Sequence, residues 1–239
     1  MAASADGMLI SVHMPKTAGL SFRATLEEHY GERFAYDYAD YPLAHEPATR
    51  HRKALQASLE VLTRDLSGTG CIHGHFLPVK YLLLADVREC AYVTWMREPV
   101  ARLVSHYHYW RRSYDPESDF VSPLHRRVVE EQWSLERFCL SPELRNVYAQ
   151  YLWGFPLQRL DFVGITEHYE EDLRQFSLLY LGQAARAYAV NQREDGTDDS
   201  GPGELGDATR RRVEEYHSTD MALYEQALAM RSARLSEPV

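Results

Sequence analysis

The sequence predicts an α/β fold, a mainly parallel sheet flanked by helices on both faces, and three segments carry that prediction. Two of them run from an apolar strand through a short turn directly into a helix, around residues 9–29 and 91–111. The third, Cys71-Ile72-His73-Gly74-His75-Phe76, is a short strand between them. Strands that alternate with helices need crossover connections, which make neighbouring strands parallel and place the helices over the sheet. With 239 residues, 45% of them hydrophobic, and no internal repeat, the chain can bury one core, so residues 1–239 read as a single domain.

In the first unit, Leu9, Ile10 and Val12 read as a buried strand, Pro15 and Gly19 punctuate a turn, and Phe22 to His29 reads as helix. Backbone N–H groups near residues 17–21 therefore converge at a helix start, where an anion is held by unpaired donors and by the helix dipole. Lys16 stands at the mouth of this loop. The arrangement is P-loop-like without being the Walker pattern, because Lys16-Thr17 precedes Gly19 instead of following the glycines. The bland alternative is a strand-to-helix turn with a surface lysine.

The second unit has Ala91 to Met96 as strand and Arg97-Glu98-Pro99 leading into a helix, with Pro99 at its first position. Val100, Leu103, Val104 and Tyr107 follow the rhythm of a core-facing stripe, while Arg102, Ser105 and Tyr109 recur on another face. Arg97 before the helix and Ser105 two turns into it make a candidate second phosphate site; an arginine paired to a surface carboxylate is the alternative.

His73 and His75 are two apart on a strand, so both point into one cleft. They could be a metal pair, a base with a helper, or two ordinary polar histidines. A metal needs a third ligand at a recognisable spacing, none is placed to serve, and the His106-x-His108 pair diverges on its helix. A general base fits better.

Together, the segment from Val12 to Phe22, the Ile72-His73-Gly74-His75-Phe76 stretch and the run from Arg97 to Tyr107 resemble PAPS-dependent carbohydrate sulfotransferases, in the branch of heparan sulfate and uronyl 2-O-sulfotransferases. The segments Phe162 to Glu171 and Asp220 to Leu228 resemble that family's later strand-to-helix stretch and closing helix; residues 36–70 and 113–146 match nothing in it and are expected to set the acceptor. The resemblance implies a sulfotransferase fold, a sulfuryl transfer from PAPS to an acceptor hydroxyl with 3′,5′-ADP (PAP) as product, and no metal. It assigns Lys16 to the bridging oxygen of the phosphosulfate and the loop Thr17, Ala18, Gly19, Leu20, Ser21 and Phe22 to the 5′-phosphate. Arg97 and Ser105 take the 3′-phosphate, His75 is the catalytic base, and His73 supports it. The family closes a basic loop over the nucleotide; here residues 191–206 are acidic and glycine-rich, with Arg193 the one candidate cation, and 195–206 reads as a flexible loop.

Charge and cysteines bound the rest. A net charge of −9 argues against a long polyanionic glycan or nucleic acid as partner, since either needs a dense cationic track. Four basic clusters exist, at 50–53, 111–112, 126–127 and 210–212, and read mostly as solvated helix faces; Leu55, Leu59, Leu62 and Leu66 are expected to form the buried side of the first. Cys71, Cys90 and Cys139 show no paired spacing, and no apolar run is long enough for a membrane span, so a cytoplasmic, bacterial member of the family is expected. The acceptor is a hydroxylated small molecule, glycan, lipid headgroup or tyrosyl peptide. Two rivals remain: an ATP-dependent kinase, which would want a magnesium ligand where the second strand ends in Arg97, and a silent nucleotide-binding protein, which would have no reason to keep both histidines.

Overall fold

The structure, a computed structural model, describes residues 7–40, 42–118, 121–183 and 205–236. Five strands among these residues, β1 (Met8–Val12), β2 (Phe34–Asp37), β3 (Cys71–Gly74), β4 (Cys90–Met96) and β5 (Phe162–Ile165), form one sheet in the order β2-β3-β1-β4-β5. All four pairings are parallel. The expected α/β sheet is therefore what the chain builds. From β1 the chain steps to one side for β2 and β3 and then crosses to the other for β4. That reversal opens a crevice at the carboxyl end of β1, the place where sheets of this kind bind ligands.

Alternating strand residues feed two cores. Met8, Ile10, Val12, Ile72, Tyr92, Val163 and Ile165 point to one face, where they meet Tyr148 and Tyr151 of α6 (Val147–Tyr151) and Ala227 of α9 (Ser218–Ser236). Leu9, Cys71, Val93, Trp95 and Phe162 point to the other, against Phe22 and Leu26 of α1 (Gly19–Tyr30) and Leu173 and Phe176 of α7 (Tyr169–Phe176). A third cluster forms beside the sheet around α3 (Pro99–Arg112), with Val100, Leu103, Val104 and Tyr107 all buried, as their spacing predicts. α4 (Pro123–Glu130), α5 (Leu135–Cys139) and α8 (Asp207–Tyr216) pack there.

One expectation is corrected. On α2 (Pro47–Val61) the buried positions are Arg50, Ala54, Ser58 and Val61, whereas Leu55, Leu59 and Leu62 are 50%, 63% and 45% exposed; Leu66, beyond the helix, is partly buried. Two stripes lie one residue apart on this helix. Small side chains allow α2 to lie close against residues 78–86, and periodicity alone could not rank that stripe below the leucines. The C-terminal helical stretch is divided at His217 into α8 and α9. The His217 ring is used elsewhere: Nε2 lies 2.7 Å from the Cys139 carbonyl and Nδ1 accepts from the Asn146 N–H at 3.2 Å.

The C-terminal helix is fastened by buried carboxylates. Asp220 accepts the N–H groups of Tyr148 and Ala149, both at 3.0 Å, at the start of α6, and Asp172, fully buried, pairs with Arg231 Nε at 2.7 Å. A buried carboxylate is stable only with such partners. Among the described residues no helix is long and apolar enough to cross a membrane.

Candidate functional site

The path from strand through turn to helix runs as the sequence predicts, with a tighter backbone. β1 ends at Val12 and α1 begins at Gly19, three residues earlier than Phe22. Lys16 and Ala18 both sit at positive φ, 68° and 61°. That left-handed conformation costs a non-glycine residue about 1–2 kcal/mol. Gly19 is required by contact: a Cβ there would lie 1.9 Å from the His13 ring. Thr17 Oγ1 donates to the Met14 carbonyl at 2.9 Å, so this hydroxyl closes the turn and the residue's free contribution is its backbone N–H. No side chain caps α1 and no acid stands in its first turn. The helix start keeps its N–H donors and its positive end for an outside anion.

Lys16 reaches across to α3, where its Nζ lies 3.9 Å over the Tyr109 ring. Burial and the neighbouring Arg112 and Arg97 charges bring its pKa down to about 8. Arg97 itself has its peptide held from both sides by Tyr148, which accepts the Arg97 N–H at 2.9 Å and donates to its carbonyl at 2.5 Å. Among the described residues no carboxylate pairs with the Arg97 guanidinium, so the surface ion pair considered from sequence does not form there. Ser105, on the next turns of α3, is half-buried.

The start of α3 differs from that of α1. Glu98 caps it, accepting the N–H groups of Val100 at 3.2 Å and Ala101 at 2.7 Å, and Arg210 of α8 lies 3.2 Å from the same carboxylate. Any anion bound at this end must be held by side chains. The face of Arg102, Ser105 and Tyr109 is also divided: Arg102 is fully buried, its guanidinium carbon 5.7 Å from the Tyr148 ring, and only Ser105 and Tyr109 reach the site's surface.

Register brings the histidines together. Ser11 pairs with His73 across β1 and β3, and Tyr36 of β2 pairs with His73 on the other side. His73 is 1% exposed, with Nδ1 2.8 Å from Ser11 Oγ, and burial, then the charges of His75 and Arg23, lower its pKa to about 3. His75 follows the end of β3. Its Nδ1 donates to the His13 carbonyl at 2.5 Å; a carbonyl only accepts, so the proton is on Nδ1 and Nε2 carries the lone pair. Burial lowers the His75 pKa as well, which keeps that nitrogen free near neutrality. The His13 ring packs against both, its centroid 4.3 Å from His75 and 5.1 Å from His73.

Four residues of this site were not singled out from sequence. His13 lay inside the quoted loop but was read as strand. Ser11 became visible only through register. Tyr38, whose hydroxyl lies 2.8 Å from His13 Nδ1 and whose ring is 4.9 Å from His75, falls in the unmatched 36–70 stretch, and Tyr109 was noted only for its helical face. Beside Tyr38, the carboxyl end of β2 and α2 enclose a cleft of about 510 Å³ with Asp37, Asp40, Lys53, Glu60, Arg64 and Lys80 on its walls. Lys80 is already neutralised there, 2.7 Å from Asp37 and 2.9 Å from Asp40. Arg193 and residues 195–204 of the expected loop lie outside the described residues.

In the basic clusters at 126–127 and 210–212, arginines are paired with carboxylates. Arg126 lies 3.2 Å from Glu130, Arg127 3.0 Å from Glu143 and Arg212 2.6 Å from Glu136.

No family model matches the sequence, and no curated protein does. Among solved structures, the chain is similar to a sulfotransferase from Alicyclobacillus acidocaldarius at 14% identity, over 93% of this chain and 95% of that one, with a TM-score of 0.48. It is also similar to mouse sulfotransferase SULT7A1 complexed with PAP at 13% identity, over 99% of this chain and 91% of that one, with a TM-score of 0.46. Neither likeness reaches the level that would fix a family.

Proposed function

We propose that the protein is a sulfotransferase that moves a sulfuryl group from PAPS to an acceptor hydroxyl, with His75 as base. The observation that carries this reading is the His75 tautomer, fixed by the His13 carbonyl, beside an uncapped helix start with a lysine at its mouth. A kinase reading lacks a carboxylate at the end of β4, where Arg97 stands, and a silent binder gives no reason for a base with its lone pair free.

The residues fit a donor carrying two separated phosphates. The loop 17–22 holds the 5′-phosphate through N–H groups, and Arg97 with Ser105 holds the 3′-phosphate through side chains, because Glu98 occupies the backbone donors there. The donor supplies the sulfuryl group: its S–O bond to the 5′-phosphate breaks as the acceptor's S–O bond forms, and the electron pair leaves on 3′,5′-ADP. His75 Nε2 takes the acceptor's hydroxyl proton. Lys16 offsets the charge on the departing oxygen, the kind of electrostatic aid that is worth most in a site with little water. His73, shut from solvent, serves by holding Ser11 and packing under His13. The cleft beside Tyr38 has balanced charges and polar walls, which suits a hydroxylated, sugar-like acceptor better than a long polyanion. The protein is expected to act in the cytoplasm.

The test is ligand-dependent unfolding followed by an acceptor screen. 3′,5′-ADP without magnesium should raise Tm more than 5′-AMP, and ATP with magnesium should do no better than 5′-AMP. His75→Ala should keep the 3′,5′-ADP shift and lose transfer to any acceptor the wild type uses. Equal shifts with 3′,5′-ADP and 5′-AMP would remove the second phosphate site, and transfer by the His75→Ala protein would remove the base.

A further inference from the structure

We propose that Tyr109 is the positioning residue for Lys16, its ring holding the ammonium at the mouth of the anion loop and releasing it to the donor's departing oxygen. This rests on the reading of Lys16 given above. The geometry is specific. Lys16 extends from a backbone at φ 68°, a conformation that sends its side chain away from its own loop toward α3, and Nζ comes to lie 3.9 Å from the ring centroid. Such a contact is well inside the roughly 6 Å at which a cation is held by an aromatic face.

The charges around Lys16 explain why a ring is used there. Arg97 and Arg112 face it from either end of α3, and His13 and His106 stand near enough to feel its charge. Every one of these is a cation or a neutral imidazole. Among the described residues no carboxylate reaches Lys16, so the π face is the attractive partner that keeps a crowded ammonium charged and in place. A carboxylate could do the same only by neutralising the charge that the departing oxygen needs and by repelling the donor's phosphates. An aromatic ring attracts the cation without a formal charge to compete.

Tyr109 is 41% exposed on an outer turn of α3, so substitutions there leave the core of that helix intact. The experiment measures the pH midpoint of Lys16 labelling by an amine-reactive reagent, read on the Lys16 peptide by mass spectrometry, in the donor-free protein and with 3′,5′-ADP. Wild type should give a midpoint near the lowered pKa of about 8. Tyr109→Leu should move it down by about 0.4 to 1.5 pH units, the equivalent of a cation–π contact, and Tyr109→Phe should restore it, since the ring and not the hydroxyl holds the charge. In turnover, the alkaline limb should move with the labelling midpoint, and kcat should fall about 2- to 30-fold in Tyr109→Leu with little change in KM for the donor. A Tyr109→Leu midpoint equal to wild type overturns the proposal, as does a Phe variant that behaves like Leu. Wild-type Lys16 that 3′,5′-ADP neither protects nor shifts overturns it by a different route, because the donor-site reading then fails while the Tyr109 contact still shows in the donor-free midpoints.

Discussion

Two strand-to-helix units of similar chain path meet at the crevice of this sheet, and they leave their helix starts in opposite states. α1 begins with no side-chain cap and no acid in its first turn, whereas α3 begins under the carboxylate of Glu98. The same backbone element thus offers N–H donors to a ligand in one unit and withholds them in the other. Backbone donors set in a tight turn select a phosphate by shape, and a guanidinium with a hydroxyl selects by charge and reach. Under the proposed function, a donor with two phosphates at different distances from the reacting sulfur would meet one of each.

The largest effect expected from breaking this pair is at Lys16. Its proposed partner, the departing oxygen, would carry most charge in the transition state, so Lys16→Ala should lower kcat by about 10²- to 10³-fold, as loss of a stabilising donor does elsewhere. Affinity for 3′,5′-ADP should change much less. Parallel losses in rate and affinity would make Lys16 an ordinary phosphate ligand.

Arg97→Ala attacks the second unit alone. Loss of a charge-assisted contact should weaken 3′,5′-ADP binding by about 1.5–3 kcal/mol. Affinity for 5′-AMP, which lacks the 3′-phosphate, should stay the same. Titration calorimetry with both nucleotides decides it, and an equal loss for the two would return the guanidinium to a general electrostatic role.

Both units are sensitive to acid, because each carries buried histidines, His13 with the neighbouring His73 in the first and His106 on α3 in the second. Burial holds His13 well below the usual histidine range and His73 at about 3. Above about pH 6.5 these groups are neutral in folded and unfolded chains alike and contribute no pH dependence. As pH falls below that value the unfolded chain takes up protons that the folded chain refuses, so stability falls, by about 2 kcal/mol at pH 5 for each histidine that stays neutral. Urea unfolding at pH 7.5 and pH 5 should show the loss, and His73→Asn should reduce it. Activity follows the same sign: with the His75 pKa lowered, the acid limb should lie below pH 6.5, and a limb above that value would contradict the burial of the base.

How much of this was legible in the sequence depends on whether local pattern or tertiary register carries the information. The parallel sheet, the loop from Lys16 to Phe22 and the core stripe of α3 were readable because a strand, a turn and a helix each leave a local period. His73 was readable as a strand residue, whereas the spacing of two did not carry His75, which lies just past the end of β3 at Gly74. Ser11 and Tyr38 were not readable, since their place beside the histidines follows from which strands pair and in what register, and no single segment records that. The outward leucines of α2 show the reverse case, in which a strong local pattern lost to the close packing of Ala54, Ser58 and Val61. The state of the two helix starts lay in between. Glu98 before Pro99 was in plain view, yet an acid ahead of a helix becomes a cap only when its side chain turns back onto the first N–H groups.

That cap gives the smallest effect and the sharpest test of the comparison. Glu98→Ala removes the acceptor of two N–H groups and one end of a partly exposed pair with Arg210, whose worth at 21% and 28% side-chain exposure is small. Cap loss of this kind costs about 1 kcal/mol, to be read as a lower midpoint in urea. Binding should respond in the other direction. With the carboxylate gone, the start of α3 gains the free donors that α1 has, and a negative charge next to Arg97 is removed, so affinity for 3′,5′-ADP should hold or rise slightly. A fall in affinity comparable to that of Arg97→Ala would mean that Glu98 orients the arginine, and the two units would then differ in side-chain placement rather than in which one lends its backbone to the ligand.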